Sequence, residues 1–218
     1  MSPSEERPDR TFIEEARRAQ IIQCAADVIA ETGYTRATMA QIARRAGVAK
    51  SVISYHFADK SELLRELVRT AVATYTQFLE PRLAAQTDAA GRIRAYLTGS
   101  AEYMTTHRNM NLAVLEIAFN ALGSDGRPLT ASIPMETHKP TLERILQDAQ
   151  SAGELRDFDV EVIAGLLRSA VTHTMVMAQR ADPTVDLAAY AGELATAFTL
   201  ATRPSGPGGG RASVRARS

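Results

Sequence analysis

Residues 38–57 contain two short helical patterns that are separated by a glycine. Thr38, followed three residues later by Gln41, is the capping-box signature that begins a helix, and Gly47 is the kind of residue that ends one. A second pattern begins near Ala49, directly after Gly47 and Val48. Two short helices around a glycine-containing turn form a helix-turn-helix. This stretch therefore restricts the N-terminal part of the chain to an α-helical unit.

The second pattern, GVAKSVISYHF, could also form a strand, because Val, Ile, Tyr and Phe favour β-structure. Helical spacing puts Ala49, Ile53 and Phe57 on an inward face, and it puts Ser51 and Tyr55 on the opposite face. A half-buried strand would instead mix Ser51 and Tyr55 with Ile53 and Phe57 on one side. Because only the helix separates apolar from polar side chains, a helix is predicted here.

Positive charge is concentrated around this unit, although the chain as a whole is neutral, with 25 basic and 25 acidic residues. Residues 36–60 hold five Lys and Arg residues and one acidic residue, which leaves a local net charge of +4. Such a local excess is typical of a surface that faces phosphates.

The two ends of the chain differ from the rest in composition. Residues 1–10 are polar and are predicted to be mobile. Residues 203–218, RPSGPGGGRASVRARS, are rich in Gly, Pro, Ser and Arg, and they are predicted to form a disordered tail. The arginines of this tail are alternatively candidates for additional phosphate contacts.

The remainder is predicted to be all-α, with about nine helices in total. A second capping box, Thr11 with Glu14, begins the first helix, and Gly33 ends it. Asp59 or Ser61 can cap the fourth helix, which has Lys60 at its start and is broken by Pro81. Later helices are expected at residues 88–106, 109–122, 129–152, 158–181 and 184–202. No convincing run of alternating apolar and polar residues suggests a strand.

Several classes of protein and site lack support in the sequence. The single cysteine, Cys24, cannot form an internal disulfide, which suits a reducing compartment. The N-terminus has no apolar signal core, and no apolar run approaches the roughly 18–20 residues of a membrane span. We expect a cytoplasmic protein without membrane partners. No catalytic residue, metal site or cofactor motif is found, so an enzyme is not expected.

The chain resembles the TetR/AcrR family of transcriptional regulators. The resemblance is carried by QIIQCAADVIAETGY and by ATMAQIARRAGVAKSVISYHFADKSELL, which together run from about Arg17 to Leu64. The order of features is distinctive: a first helix ending in Gly and an aromatic residue, a Thr-capped second helix, an Ala-Gly-Val turn, and a third helix ending in an aromatic-Phe pair. A lysine and a long fourth helix follow.

The resemblance implies a homodimer that binds a palindromic double-stranded DNA operator and is released by a small-molecule effector. It also implies a helix-turn-helix DNA-binding domain at residues 11–60 and a larger helical effector-binding and dimerisation domain at residues 61–202. Small residues in the last two long helices suit the dimer interface. Most such proteins are bacterial repressors.

The sequence departs from the family pattern at three positions that the family directs towards DNA. Ala49 replaces a frequent Ser, so a capping hydroxyl is missing from the third helix. Ser51 replaces a frequent Gly, and Ser54 replaces a frequent Tyr. The operator sequence therefore cannot be transferred from a relative.

The candidate DNA-contacting residues follow from the resemblance and from the outer face of the third helix. Lys50 and Ser51 are the expected base readers, because ammonium and hydroxyl groups match purine edges. Thr38 and Lys60 are expected to contact phosphates, the former at a helix N-terminus. The remaining candidates are Arg44, Val52, Ser54, Tyr55 and His56. Arg44 and Arg45 also suit the negative end of the second helix dipole, and His56 is equally a packing candidate.

Aromatic, Met and His residues of the C-terminal part are candidates for an effector pocket. They are Tyr75, Phe78, Tyr96, Tyr103, Met104, His107, Phe119, His138, His173 and Met177. At helical spacing such residues are also ordinary core residues.

Two other functions remain compatible with parts of the pattern. The first is a helical enzyme whose N-terminal half only resembles a DNA-binding unit, which would need a catalytic constellation in the C-terminal half. The second is a nucleoid-type DNA binder without an effector, which would need no ligand-sized cavity.

Overall fold

The computed structural model describes residues 7–123, 125–133 and 139–204, and within them the fold is helical, as predicted. Nine helices follow one another in these residues: α1 Arg7–Thr32, α2 Met39–Ala46, α3 Lys50–His56, α4 Lys60–Ala84, α5 Ala89–Thr106, α6 Arg108–Asn120, α7 Lys139–Ser151, α8 Val160–Ala181 and α9 Leu187–Thr202. A 3-10 turn, Leu129–Ser132, follows α6. Helix α8 contains a π-helical segment, Ala170–Met175.

Apolar side chains form two cores. The N-terminal core joins α1–α3 and the first half of α4 to α6, with Ile21, Ile42, Ile53, Leu67 and Ile117 all fully buried. The C-terminal core joins the end of α4 to α5, α7, α8 and α9. The first core thus extends past residue 60 along α4 to Ala71 and includes one face of α6, so the helix-turn-helix unit packs directly against the larger helical region.

Two predicted helix limits were wrong. Helix α1 begins at Arg7, so residues 7–10 are helical, and Thr11 and Glu14 lie inside α1 rather than at a cap. Pro8 is tolerated because amide groups in a first turn have no intrahelical partner. Helix α4 continues through Pro81 to Ala84: the proline removes the one backbone hydrogen bond that it would donate, and the remaining turn stays helical.

The predicted helix at 129–152 is divided into the 3-10 turn and α7. Ile133, which precedes Pro134, has extended backbone angles (φ −104°, ψ 122°), as expected before a proline. Pro140 lies in the first turn of α7, where a missing amide proton has little cost. Residues 1–6, 124, 134–138 and 205–218 lie outside the described part of the chain, and most of the predicted tail is therefore untested.

Helix α8 corrects the expectation about apolar runs. By length and composition alone it could cross a membrane, with a mean hydropathy of 1.2. Because charged residues such as Arg168 interrupt the apolar run, the sequence does not show an uninterrupted apolar segment of that length. Ala164, Leu167, Val171 and Met175 pack into the C-terminal core, although only 28% of the apolar window is buried.

Candidate nucleic-acid interface

Helix α2 and the turn after it form as the sequence predicts. The Thr38 hydroxyl accepts a hydrogen bond from the Gln41 N–H (3.2 Å), and the Thr38 N–H donates to Gln41 Oε1 (2.9 Å). Gly47 ends α2 with a φ of 66°, a left-handed conformation that favours glycine. Because both ends of this short helix are capped, the direction of the following helix is well defined.

Helix α3 presents the predicted polar face. Ile53 and Phe57 are buried, whereas Lys50, Ser51, Ser54 and Tyr55 are exposed. Val52 and His56 are half-buried at the edges of this face.

The prediction for Ala49 was wrong in one respect. Ala49 is exposed and precedes the first helical turn, with extended backbone angles, so it is the N-cap residue rather than part of the inward face. As the sequence predicts, it provides no side-chain cap.

Tyr55 is held at one end of the α3 face. Its ring is 73% exposed, and its hydroxyl donates to Glu14 Oε1 of α1 (3.3 Å). The His56 ring contacts Tyr55 edge to face, with 5.1 Å between ring centroids. The early turns of α1 therefore lie beside the candidate recognition helix, a proximity that the sequence did not indicate.

Arg18 of α1 anchors the C-terminal end of α3. Its guanidinium donates to the main-chain carbonyl of His56 (2.7 Å) and lies 4.3 Å from the centroid of the Phe57 ring. It also pairs with Glu66 of α4 at 3.5 Å. Sequence reasoning missed Arg18, although it precedes Ile21 and Ile22 by three and four residues. A charged residue on an apolar helical stripe indicates a specific partner.

Lys60, a predicted phosphate contact, lies at the start of α4. Its ammonium donates to the main-chain carbonyl of Tyr34 (2.9 Å) and lies 4.3 Å from the centroid of the Tyr34 ring. Burial lowers the pKa of Lys60. Because an ammonium has three donors, the contact with Tyr34 positions the group and leaves donors for a phosphate.

The other predicted basic residues lie at the end of α2. Arg44 and Arg45 are in its last turn, where cations complement the helix dipole. Arg45 also donates to Glu31 of α1 (3.1 Å), and Arg44 is exposed. The dipole explanation therefore applies to both residues.

Six of the predicted effector-pocket residues meet in the interior of the C-terminal region. The Tyr103 ring contacts Tyr75 (5.1 Å) and Phe78 (5.4 Å) and is stacked on His107 (4.1 Å between centroids). Tyr96 and Met104 are buried in the same core. We call these six residues, together with Ser100, the aromatic cluster.

Hydroxyl groups inside the aromatic cluster bond to one another and to main-chain carbonyls. The Tyr75 hydroxyl and Ser100 Oγ are 2.6 Å apart, and Ser100 donates to the Tyr96 carbonyl (2.5 Å). Burial raises the pKa of Tyr96 and of Tyr103 to about 12, and it raises the pKa of Tyr75 well above its usual value. These phenols therefore remain neutral hydrogen-bond donors at physiological pH.

The structure places three other predicted pocket residues on the outside of the molecule. Phe119 is 65% exposed and contacts His173 edge to face (5.6 Å), and both line a shallow groove with Met177. Both faces of α8 carry apolar residues, so periodicity did not distinguish inside from outside. The last predicted residue, His138, lies outside the described part of the chain.

Exposed apolar residues follow the outer face of α8. Val162 and Leu166 are more than half exposed, and His173 and Met177 continue the same side of the helix. With Phe119 of α6 across the groove, these residues form what we call the α8 stripe. Exposed apolar residues gathered on one side of a helix indicate a candidate interaction site.

Two cavities are lined by residues that belong neither to the aromatic cluster nor to the α8 stripe. One of about 520 Å³ lies between the end of α4 and α5, where Arg82 pairs with Glu102 (2.9 Å) and covers the Phe78 ring. Another of about 460 Å³ lies where the start of α5 meets the end of α9. Among the described residues, no group of three or more His, Cys, Asp or Glu side chains could hold a metal ion.

The comparisons with known proteins agree with this geometry. A family model described as "Bacterial regulatory proteins, tetR family" matches residues 21–67. The HTH-type transcriptional regulator BetI of Serratia proteamaculans is 38% identical over 86 residues, which are 38% of this chain and 43% of that protein. The match thus spans less than half the length of this curated relative.

Solved structures resemble a larger part of the chain. The fatty acid degradation regulator FadR from Bacillus halodurans has a TM-score of 0.74 at 19% identity, over 85% of this chain and 99% of that one. FadR from Bacillus subtilis, solved with stearoyl-CoA, has a TM-score of 0.74 at 22% identity, over 83% and 97%. At these identities the likeness shows the fold.

Proposed function

We propose that this chain, which belongs to the tetR family of bacterial regulatory proteins, is a sequence-specific DNA-binding transcriptional regulator rather than an enzyme. It represses transcription from a palindromic operator in the cytoplasm until a small molecule releases it. The observation that carries this proposal is the exposed polar face of α3, held between a capped α2 and the anchored start of α4. A face of this kind fits the major groove, where a recognition helix reads base edges.

The contacts divide into base readers and phosphate contacts. Lys50, Ser51, Ser54 and Tyr55 lie on the exposed face of α3 and are proposed to meet base edges and the adjoining backbone. The Thr38 end of α2 and the Lys60 ammonium are proposed to meet phosphates. Phosphate contacts position the protein, whereas base contacts specify the sequence.

The experiment that tests this function is selection of binding sites from random double-stranded DNA. The full-length parent is expected to select a palindrome, and Lys50→Ala and Ser51→Ala are expected to select altered half-sites. Lys60→Ala is the matched contrast: it should select the parental sequence with a weaker affinity and a salt slope lower by about one unit. Recovery of unenriched DNA by the parent would favour a nucleoid-type binder, and unchanged half-sites from both α3 variants would remove them as base readers.

The regulator is proposed to act as a homodimer, with the α8 stripe at its two-fold interface. The position of these exposed residues on one side of a single helix supports this, because a two-fold interface uses the same patch on both subunits. The apolar side chains of the stripe would otherwise remain in water, at a cost of about 25 cal/mol per Å² of exposed apolar surface. The two helix-turn-helix units of one dimer would then read the two halves of a palindrome.

The effector is proposed to be a largely apolar molecule that enters at the aromatic cluster and uses one polar group on its tyrosine hydroxyls. The support is the association of aromatic surface with neutral hydroxyl donors in one interior region. Small-molecule sites commonly combine these two features.

A thermal-shift screen tests the effector site. Stearoyl-CoA is the first probe, since the similar regulator FadR of Bacillus subtilis was solved with it, followed by sterols and aromatic acids. A ligand at 100 times its Kd should stabilise the protein by about 2.7 kcal/mol. The stabilisation should fall in Tyr75→Phe, which keeps the ring and removes the hydroxyl. Equal stabilisation of the parent and Tyr75→Phe would place the binding site elsewhere.

A further inference from the structure

The main chain of Tyr34 is contacted from two different parts of the molecule. Its carbonyl accepts the hydrogen bond from Lys60 of α4, and its N–H donates to Glu116 Oε2 of α6 (3.2 Å). Tyr34 follows Gly33, whose φ of 80° is a left-handed conformation that favours glycine at this turn. The turn between α1 and α2 is thus attached to the start of α4 on one side and to α6 on the other.

Glu116 also contacts α8. Its second carboxylate oxygen, Oε1, accepts from the Arg180 guanidinium, and Asn120 donates to Oε2 (3.3 Å). The Glu116 side chain is 14% exposed, whereas the Arg180 side chain is 52% exposed at the rim of the α8 stripe. Burial favours a raised pKa for Glu116, but the hydrogen bonds from Arg180 and from the Tyr34 N–H outweigh it and lower the pKa. The carboxylate is therefore ionised at neutral pH and binds both donors as an anion.

These contacts form a continuous series from the surface of α8 to the candidate DNA-binding residue Lys60. A second polar contact between the two regions, from Asn109 to Asp27 (3.0 Å), joins α6 to α1. It includes no residue of α8. Glu116 differs because its single carboxylate accepts hydrogen bonds both from Arg180 of α8 and from Tyr34 in the turn between α1 and α2.

We propose that Glu116 is a coupling residue, through which the position of Arg180 on α8 controls the orientation of the helix-turn-helix unit and of Lys60. With Arg180 in contact, Glu116 is held in the geometry that binds the Tyr34 N–H. When α8 moves, because the dimer contact or the C-terminal core rearranges, Glu116 loses Arg180 and its hold on the turn weakens. Coupling of this kind requires an element with two arrangements that both sites bias. The inference rests on the proposed function, because it concerns how DNA binding is regulated.

The experiment measures, in the absence of DNA, the distance between the helix-turn-helix unit and the C-terminal region. Spin labels are attached at Ala40→Cys on α2 and Ala90→Cys on α5, both exposed positions, with the single native cysteine removed by Cys24→Ser. Labelled full-length protein is mixed with excess unlabelled protein, so that pulsed electron paramagnetic resonance reports distances within one protomer. Glu116→Gln and Arg180→Gln are each expected to widen the distance distribution by about twofold, since each loosens the same joint.

The double variant decides between coupling and general loosening. If Arg180 acts through Glu116, the double variant is no wider than Glu116→Gln alone. Glu102→Gln is the control, because it breaks the Arg82 ion pair within the C-terminal region and should leave the distribution unchanged. The proposal would be overturned if Glu116→Gln had the same distance distribution as the parent, or if the widening in the double variant equalled the sum of the widening in the two single variants. Arg180 is exposed, so Arg180→Gln tests the joint even if Glu116→Gln folds poorly.

The outcome is separable from that of the proposed function. If no DNA sequence is selected but the spin-label distance distribution widens in the variants, the proposed regulator function would be rejected and the coupling through Glu116 would be retained. A selected operator with an unchanged distribution in both variants would retain the regulator and reject Glu116 as its coupling residue.

Discussion

Leu166→Glu is expected to convert the dimer into monomers and to lower operator affinity by roughly two to four orders of magnitude, the range typical of lost bivalent binding. Leu166 is exposed near the middle of the α8 stripe, between Val162 and His173. A carboxylate there would be buried without a partner in the proposed interface, at a large desolvation cost. The fold of the protomer should remain, because the side chain lies outside both cores.

Analytical ultracentrifugation and fluorescence anisotropy with the selected operator measure the two effects. Ala85→Glu is the control, since it adds the same charge at an exposed position beside the α4–α5 cavity. It should leave both the dimer and the affinity unchanged. A Leu166→Glu protein that sediments as the parental dimer would show that the α8 stripe is not the interface.

Arg18→Ala is expected to lower the free energy of unfolding by about 1–3 kcal/mol, because it removes a charged hydrogen-bond donor and a cation–π contact. Three neighbours lose a contact at once: the His56 carbonyl, the Phe57 ring and Glu66, of which Glu66 keeps its pair with Arg69. The first two lie at the end of α3, so the orientation of the candidate recognition helix becomes less restricted. We therefore expect operator affinity to fall by about tenfold or more, a loss of about 1.4 kcal/mol in binding.

Denaturant unfolding and operator titration measure these losses. Arg17→Ala is the matched control, because it removes an equal charge from the same helix. Arg17 is exposed, and its side chain donates a hydrogen bond to Gln20 of α1. Arg18→Lys keeps the charge without the planar fork and should be intermediate. Equal behaviour of Arg17→Ala and Arg18→Ala would mean that Arg18 contributes only its charge.

The local features of the interface could be predicted from the sequence because neighbouring residues determine them. The Thr38–Gln41 capping box, the end of α2 at Gly47 and the separation of Ile53 from Ser51 and Tyr55 were all confirmed. Each depends on residues within about one or two helical turns, where capping and periodicity act directly.

Errors arose where local rules compete with longer-range packing. Pro81 was predicted to end α4, but the proline removes only its own backbone hydrogen bond, and the helix continues to Ala84. Phe119, His173 and Met177 were candidates for an effector pocket, and the structure places them on the surface, where they line a shallow groove. Composition cannot distinguish a buried apolar face from an exposed one when a helix carries both.

The sequence by itself determined the all-α class, the capped helix-turn-helix and the polar face of α3, because these follow from periodicity and end signals within short segments. Only the tertiary structure decided which distant groups meet. Arg18 reaches the end of α3, Lys60 binds Tyr34, and Tyr34 binds Glu116, a residue 82 positions away. These contacts depend on how α1, α4 and α6 pack around one core, and the spacing of residues along the chain carries no information about that packing.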